Sequence, residues 1–129
     1  MRKRLSELEQ LVMDYVWKNP GCTASACRDA LAPVRPLKET TVRTLFQRLE
    51  AKGYVTHKVD GRTYVYHAAE ARKNVAAHAV RQIVDRFCGG SLEELLVGLV
   101  DNDMVSRKEL EQLARKIASN KQGKQRGGK

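Results

Sequence analysis

At 129 residues and a net charge of +9, the chain is sized for one domain, or one domain with a small appendage. Its 42% hydrophobic and 30% charged residues exclude a disordered chain, and its 5% aromatic content is too low for a base-stacking platform. No apolar run approaches the roughly 20 residues that span a bilayer, and Met1-Arg2-Lys3-Arg4 precedes no apolar signal core, so a cytoplasmic protein with no membrane partner is expected.

The placement of the charge is informative. Residues 1–70 hold 12 Lys/Arg against 8 Asp/Glu. In the second half, Arg115 to Lys129 carries six cations and no anion, which leaves residues 71–114 at −1. Folded positive charge therefore belongs to the first half, as expected if that half meets a polyanion. Cys22, Cys27 and Cys88 are unevenly spaced and read as reduced thiols; Cys-x4-Cys without a second pair is a poor zinc signature. No metal and no cofactor is expected.

Taken in order, Met1 to Leu5 reads as a frayed basic lead-in. The first helix runs from Ser6 to Lys18, opened by a Ser6/Glu9 capping box, with Leu8, Leu11, Val12, Tyr15 and Val16 as its core stripe and Trp17 at its edge. Asn19-Pro20-Gly21 stops it. Thr23 caps a second helix to about Ala32, whose apolar face is Ala26, Cys27, Ala30 and Leu31. Pro33 and Pro36 then break the chain.

The third helix, 38–52, is the centre of the pattern. Val42, Leu45, Phe46 and Leu49 sit at i, i+3, i+4 and i+7, the spacing of one buried face. Thr40, Thr44 and Gln47 fall opposite, flanked by Arg43 and Arg48, on an outer face read as free of carboxylates. Such side chains bond phosphates and base edges. Gly53 is expected as a left-handed C′ residue. A hairpin follows, with strands Val55 to Val59 and Thr63 to His67 and a turn at Asp60-Gly61. Arg62 stands at its tip, placed for a phosphate or a minor groove. His57 and His67 fall on its two strands, where ordinary strand residues are the plainer reading. A polar-faced helix followed by a basic hairpin is the layout of a winged helix-turn-helix.

After Ala68-Ala69 the pattern is all helical. Glu70 to Phe87 places Val75, Ala79, Ile83 and Phe87 four residues apart, with Val80 and Val84 beside them. Ser91/Glu94 and Ser106/Glu109 suggest two more capping boxes. The first opens a stripe of Leu92, Leu95, Leu96, Leu99 and Val100, the second one of Leu110, Leu113, Ala114 and Ile117. A unit of about 50 residues rarely buries enough apolar surface alone. Pairing of two copies through Val80, Ile83, Phe87, Leu92, Leu95, Leu96, Leu99, Leu110, Leu113 and Ile117 is therefore expected. The fold class is thus mainly α with a small β-hairpin wing: a winged-helix domain at 1–68, a helical dimerisation domain at 69–119 and a disordered basic tail at 120–129. The open alternative is a winged-helix module that docks protein rather than DNA. No Gly-rich phosphate loop, HExxH or nucleophile elbow marks an enzyme.

The segments Leu8 to Trp17, Thr40 to Val55, Gly61-Arg62-Thr63-Tyr64-Val65-Tyr66 and Phe87-Cys88-Gly89-Gly90-Ser91-Leu92 together resemble the penicillinase-repressor family of bacterial transcription repressors (BlaI/MecI/CopY type). The Thr-Thr-Val-x-Thr-x-x-x-Arg-Leu-x-x-Lys-Gly run from Thr40 to Gly53 is the most specific part. The resemblance implies a homodimeric repressor on a double-stranded dyad operator. By position, it implies DNA contacts from Lys38, Thr40, Thr41, Arg43, Thr44, Gln47, Arg48 and Arg62, with dimer contacts between Glu70 and Ser119. Two features depart from the family. The Asn-Phe bond cut by a sensor protease in antibiotic-responsive members aligns with Gly98-Leu99, and the Cys-x-Cys motifs of copper-responsive members are absent, so any inducing sensor or protease is unidentified.

Overall fold

The computed structural model describes residues 3–128, with side chains as far as Asn120. Its elements run α1 (Glu7–Lys18), α2 (Ala24–Leu31), α3 (Glu39–Ala51), β1 (Val55–Asp60), β2 (Thr63–Ala68), α4 (Arg72–Phe87), α5 (Leu92–Asp101) and α6 (Arg107–Gly128). They form two compact units, Met1–Ala77 and His78–Lys129. The division falls inside α4 rather than at the expected 68/69, because Val75 packs on the core of the first unit.

The first unit wraps α1, α2 and the hairpin around the apolar face of α3. Val42, Leu45, Phe46 and Leu49 are all buried. They meet Val12, Met13 and Val16 of α1, Cys27 and Leu31 of α2, and Tyr54, Val55 and Tyr66 from the hairpin region. Phe46 stacks on Tyr66 with ring centroids 3.9 Å apart and planes within 15°. Burying a ring of that size contributes roughly 2–3 kcal/mol, so this stack is a main join between helix and wing.

α3 ends as its sequence predicts. Gly53 takes φ +86°, its N–H donates to the Glu50 carbonyl at 3.0 Å, and the Tyr54 N–H donates to the Leu49 carbonyl at 2.9 Å. This is a Schellman motif, which needs a residue at ease in the left-handed region. The hairpin turn lies one residue later than expected. Asp60 pairs with Thr63, so Gly61 and Arg62 are its two central residues. Gly61 at φ +65° supplies the first position of a II′-type turn. Tyr66 also exchanges hydrogen bonds with Cys22, N–H to carbonyl at 2.7 Å and 3.1 Å, adding a one-residue bridge that the sequence did not announce.

Sequence expectations on α1, on α2 and on the lead-in before α1 need correction. The buried stripe of α1 is Glu9, Val12, Met13 and Val16, while Leu8, Leu11 and Tyr15 are only partly buried. On α2 the buried face is Ala24, Cys27 and Leu31; Ala26 and Ala30 are exposed. The N-terminal lead-in is tied down over its described part. The Tyr54 hydroxyl donates to the Lys3 carbonyl at 2.7 Å, and the Lys52 ammonium to the Arg4 carbonyl at 3.0 Å.

The cause of the rotated stripe on α1 is Glu9. Its carboxylate, only 1% exposed, takes the Ser6 N–H at 2.7 Å and the Lys52 ammonium at 2.6 Å. Burial pushes this carboxyl up, but the Lys52 ammonium and the Ser6 amide outweigh it and hold it below its ordinary 4.5. A charged residue thus occupies a core position because its cation and capping partner come with it.

In the second unit, Val84 is the one fully buried side chain among the described residues. Ser91 caps α5 through its hydroxyl, accepting from the Glu94 N–H at 3.2 Å. Ser106 and Glu109 form a reciprocal box on α6 at 3.0 and 2.9 Å. Segment 120–128, read from its sequence as disordered, continues α6 to Gly128. Lys129 lies outside the described residues. No described helix is long and apolar enough to cross a membrane.

Lys52→Met strands the buried Glu9 carboxylate and should cost about 3 kcal/mol, read as a lower urea midpoint at pH 7. Because the folded pKa of Glu9 is below the unfolded one, its stabilisation is present above about pH 4.5 and is lost as pH falls through the folded value. Glu9→Gln should therefore flatten the acid side of the stability profile; an unchanged acid limb refutes the assignment.

Candidate nucleic-acid interface

Burying one face of α3 sends the other outward. Lys38, Thr40, Arg43, Thr44, Gln47 and Arg48 are exposed and Thr41 is half-buried. Thr40, Thr44 and Gln47 form one ridge at i, i+4 and i+7, with Arg43 and Arg48 alongside. The Thr44 hydroxyl donates to the Thr40 carbonyl at 3.0 Å, leaving its oxygen free to accept.

The structure gathers part of this set around a cleft of about 260 Å³ between the start of α2, α3 and the wing. Arg43 and Gln47 line it from α3, Arg62 and Tyr64 from the wing, Thr23 and Ser25 from α2. Lys38, Thr40, Thr41, Thr44 and Arg48 lie outside it. Thr23 and Ser25 were not among the residues expected to face a ligand; the available signal was the N-cap role of Thr23, whose hydroxyl accepts from the Ala26 N–H at 3.1 Å.

One expectation fails here. The outer face of α3 was read as free of carboxylate, yet Glu39 stands in its first turn, one helical turn before Arg43, and pairs with it. The same carboxylate accepts from the Ser25 hydroxyl at 2.8 Å and from Arg28 at 2.9 Å. A second link joins helix to wing. Nδ1 of His57 lies 2.8 Å from both carboxylate oxygens of Glu50, and the His57 ring stacks on Tyr64 at 4.2 Å. His67 is on the opposite face of the ribbon, since His57 pairs with Tyr66 and His67 with Thr56.

The family model for the penicillinase repressor matches residues 5–119. The chain belongs to the penicillinase repressor family. Among its relatives are the penicillinase repressor of Bacillus licheniformis, 24% identical over 94% of each chain, and the transcriptional regulator BlaI of Mycobacterium tuberculosis, 33% identical over 89% of this chain and 83% of that one. The solution structure of the DNA-binding domain of the repressor BlaI matches with a TM-score of 0.50 and 26% identity, covering 57% of this chain and 93% of that domain. The family's winged-helix architecture is the fold seen here.

The residues expected to pair two copies are placed without a covering layer. Val80, Ile83, Phe87, Leu92, Leu96, Leu113 and Ile117 are exposed, Phe87 at 73% and Ile117 at 61%, while Leu95, Leu99 and Leu110 are half-buried. Val97 and Met104 are also exposed apolar residues; Val97 lies beside the α5 stripe and Met104 in the connection between α5 and α6. The Gly98-Leu99 bond lies within α5, where the Gly98 carbonyl accepts from the Asn102 N–H at 3.0 Å.

Cys22 and Cys27 are buried and Cys88 is half-buried. Burial, reinforced by neighbouring Cys22, pushes the Cys27 thiol up to about 12, and burial also raises Cys22. Both stay protonated and poorly nucleophilic at neutral pH. Iodoacetamide at pH 8 should therefore label one thiol per native chain, at Cys88, and all three only after unfolding. Rapid native labelling of Cys27, read by peptide mass, would contradict its burial.

Proposed function

We propose that this transcriptional repressor acts as a homodimer in the cytoplasm, each protomer laying α3 in the major groove of one half of a palindromic operator. The observation that carries it is the outward face of α3. Cations and neutral hydrogen-bonding side chains share a ridge there, with Arg62 of the wing exposed beside the same cleft. Lys38, Arg43, Arg48 and Arg62 suit phosphates and give the steep salt dependence of counterion release. Thr40, Thr41, Thr44 and Gln47 suit base edges and the nearby backbone. Met1–Ala77 is then the DNA-binding part and His78–Lys129 the dimerising part. Burial of the exposed leucine, isoleucine and phenylalanine side chains of α4, α5 and α6 in a dimer would contribute about 25 cal/mol per Å². A two-fold dimer sets the two half-sites one helical turn apart or a multiple of it. Operator DNA and a second copy are the partners, and an unidentified sensor or protease supplies release; no catalysis and no cofactor enter.

Selection of bound duplexes from a random library should return a palindromic motif with a steep salt slope. Recovery of no motif would leave α3 as a protein-docking element. On the selected duplex, Gln47→Ala should lose about 1–3 kcal/mol of discrimination at one base pair, while Arg62→Ala should weaken all sequences alike. A uniform loss from Gln47→Ala would remove it from base readout. Phe87→Asp with Ile117→Asp, both at exposed positions, should convert the dimer to monomer in sedimentation; an intact dimer would refute that interface.

A further inference from the structure

The Glu39 cluster calls for an account of its own, because a carboxylate on a surface that meets phosphates opposes binding. Glu39 sits at the first position of α3, with its side chain 27% exposed. One oxygen takes the Ser25 hydroxyl and the Arg28 guanidinium from α2, and the other takes Arg43 from the next turn of α3. The cluster therefore has two parts. Ser25 and Arg28 bind Glu39 across the α2–α3 crossing, which is a structural clamp. Arg43, with 63% of its side chain exposed, is the part that points to solvent and lines the cleft with Gln47 and Arg62.

Resting on the DNA-binding role of α3 proposed above, we propose that Glu39 is a specificity-determining residue that holds Arg43 as a tethered cation. Arg43 can contact DNA only by giving up its partner on Glu39. A nonspecific duplex offers phosphate attraction without a fixed register, and the Glu39 charge, left with Arg28 as its one cation, opposes it. On an operator, base contacts from Gln47 fix the register of α3 and set Arg43 against one phosphate in a directed, charge-assisted bond, which replaces the lost pair with better geometry. Glu39 thus weakens nonspecific binding more than operator binding, and specificity is that difference. The clamp keeps Glu39 in place while Arg43 leaves, since Ser25 and Arg28 hold the other oxygen.

The test is a double-mutant cycle on the full-length dimer, using the library-selected duplex and a scrambled one of equal length. Glu39→Gln keeps the side-chain shape and a carbonyl acceptor for Ser25 and Arg28. It should tighten scrambled-duplex binding about tenfold, change selected-duplex binding less than threefold, and steepen the scrambled-duplex salt slope by about one. In an Arg43→Ala background the same change should leave the selected-to-scrambled ratio unaltered. Equal tightening of both duplexes, or the same effect without Arg43, would make Glu39 a bulk charge and overturn the tether. Arg28→Met separates the clamp from the tether, and should lower thermal stability with the ratio retained; a collapsed ratio here would assign discrimination to helix crossing instead. Should Arg43→Ala alone leave binding to both duplexes unchanged, the DNA-facing role of α3 fails rather than the tether alone.

Discussion

The stack of Phe46 on Tyr66 is the join from which the winged unit is built. Phe46 is the central apolar residue of α3, and Tyr66 lies in the return strand of the wing. Tyr66 also pairs through its backbone with Cys22, just before α2, and with His57 across the hairpin. One aromatic residue therefore meets helix, strand and the approach to α2. Because the join is aromatic and buried, packing sets the angle of the wing, and Tyr66 also lines the cleft between α3 and the wing.

Polar links then refine what packing sets. Glu9 with Lys52 fastens the start of α1 to the end of α3, Glu39 fastens α2 to the start of α3, and Glu50 with His57 fastens the end of α3 to the wing. Three carboxylates thus fasten α3 to three neighbouring elements, α1, α2 and β1. The most buried of them, Glu9, holds a cation and a backbone amide on its carboxylate, as a charge in a core must. The more exposed ones contribute orientation more than stability, since solvent screens them.

The second unit obeys a different rule. α5 and α6 are capped, but its helices cover little of one another's apolar surface, and Val84 alone among that unit's described residues is fully buried. Helices of that kind gain most of their stability from a packed apolar face. A unit so open is suited to completion by a second copy, and that completion would also double the number of DNA-reading surfaces.

Much of this was legible in the amino-acid order. Helical spacing placed Val42, Leu45, Phe46 and Leu49 inside and the Thr40–Gln47 ridge outside, because a 3.6-residue period leaves no other assignment. Gly53 and the Ser6 and Ser106 caps were legible because backbone chemistry at helix ends admits few residues. Only the tertiary structure decided that Glu9 lies in the core, that Cys22 adds a bridge to the wing, and that Ser25 and Arg28 of α2 hold Glu39. Each depends on a partner distant in sequence or on a neighbouring element: Lys52 lies 43 residues from Glu9, and Ser25 lies 14 from Glu39. Periodicity classes a residue by its own polarity. Whether a charge is buried, paired or presented is settled by what the fold brings to it.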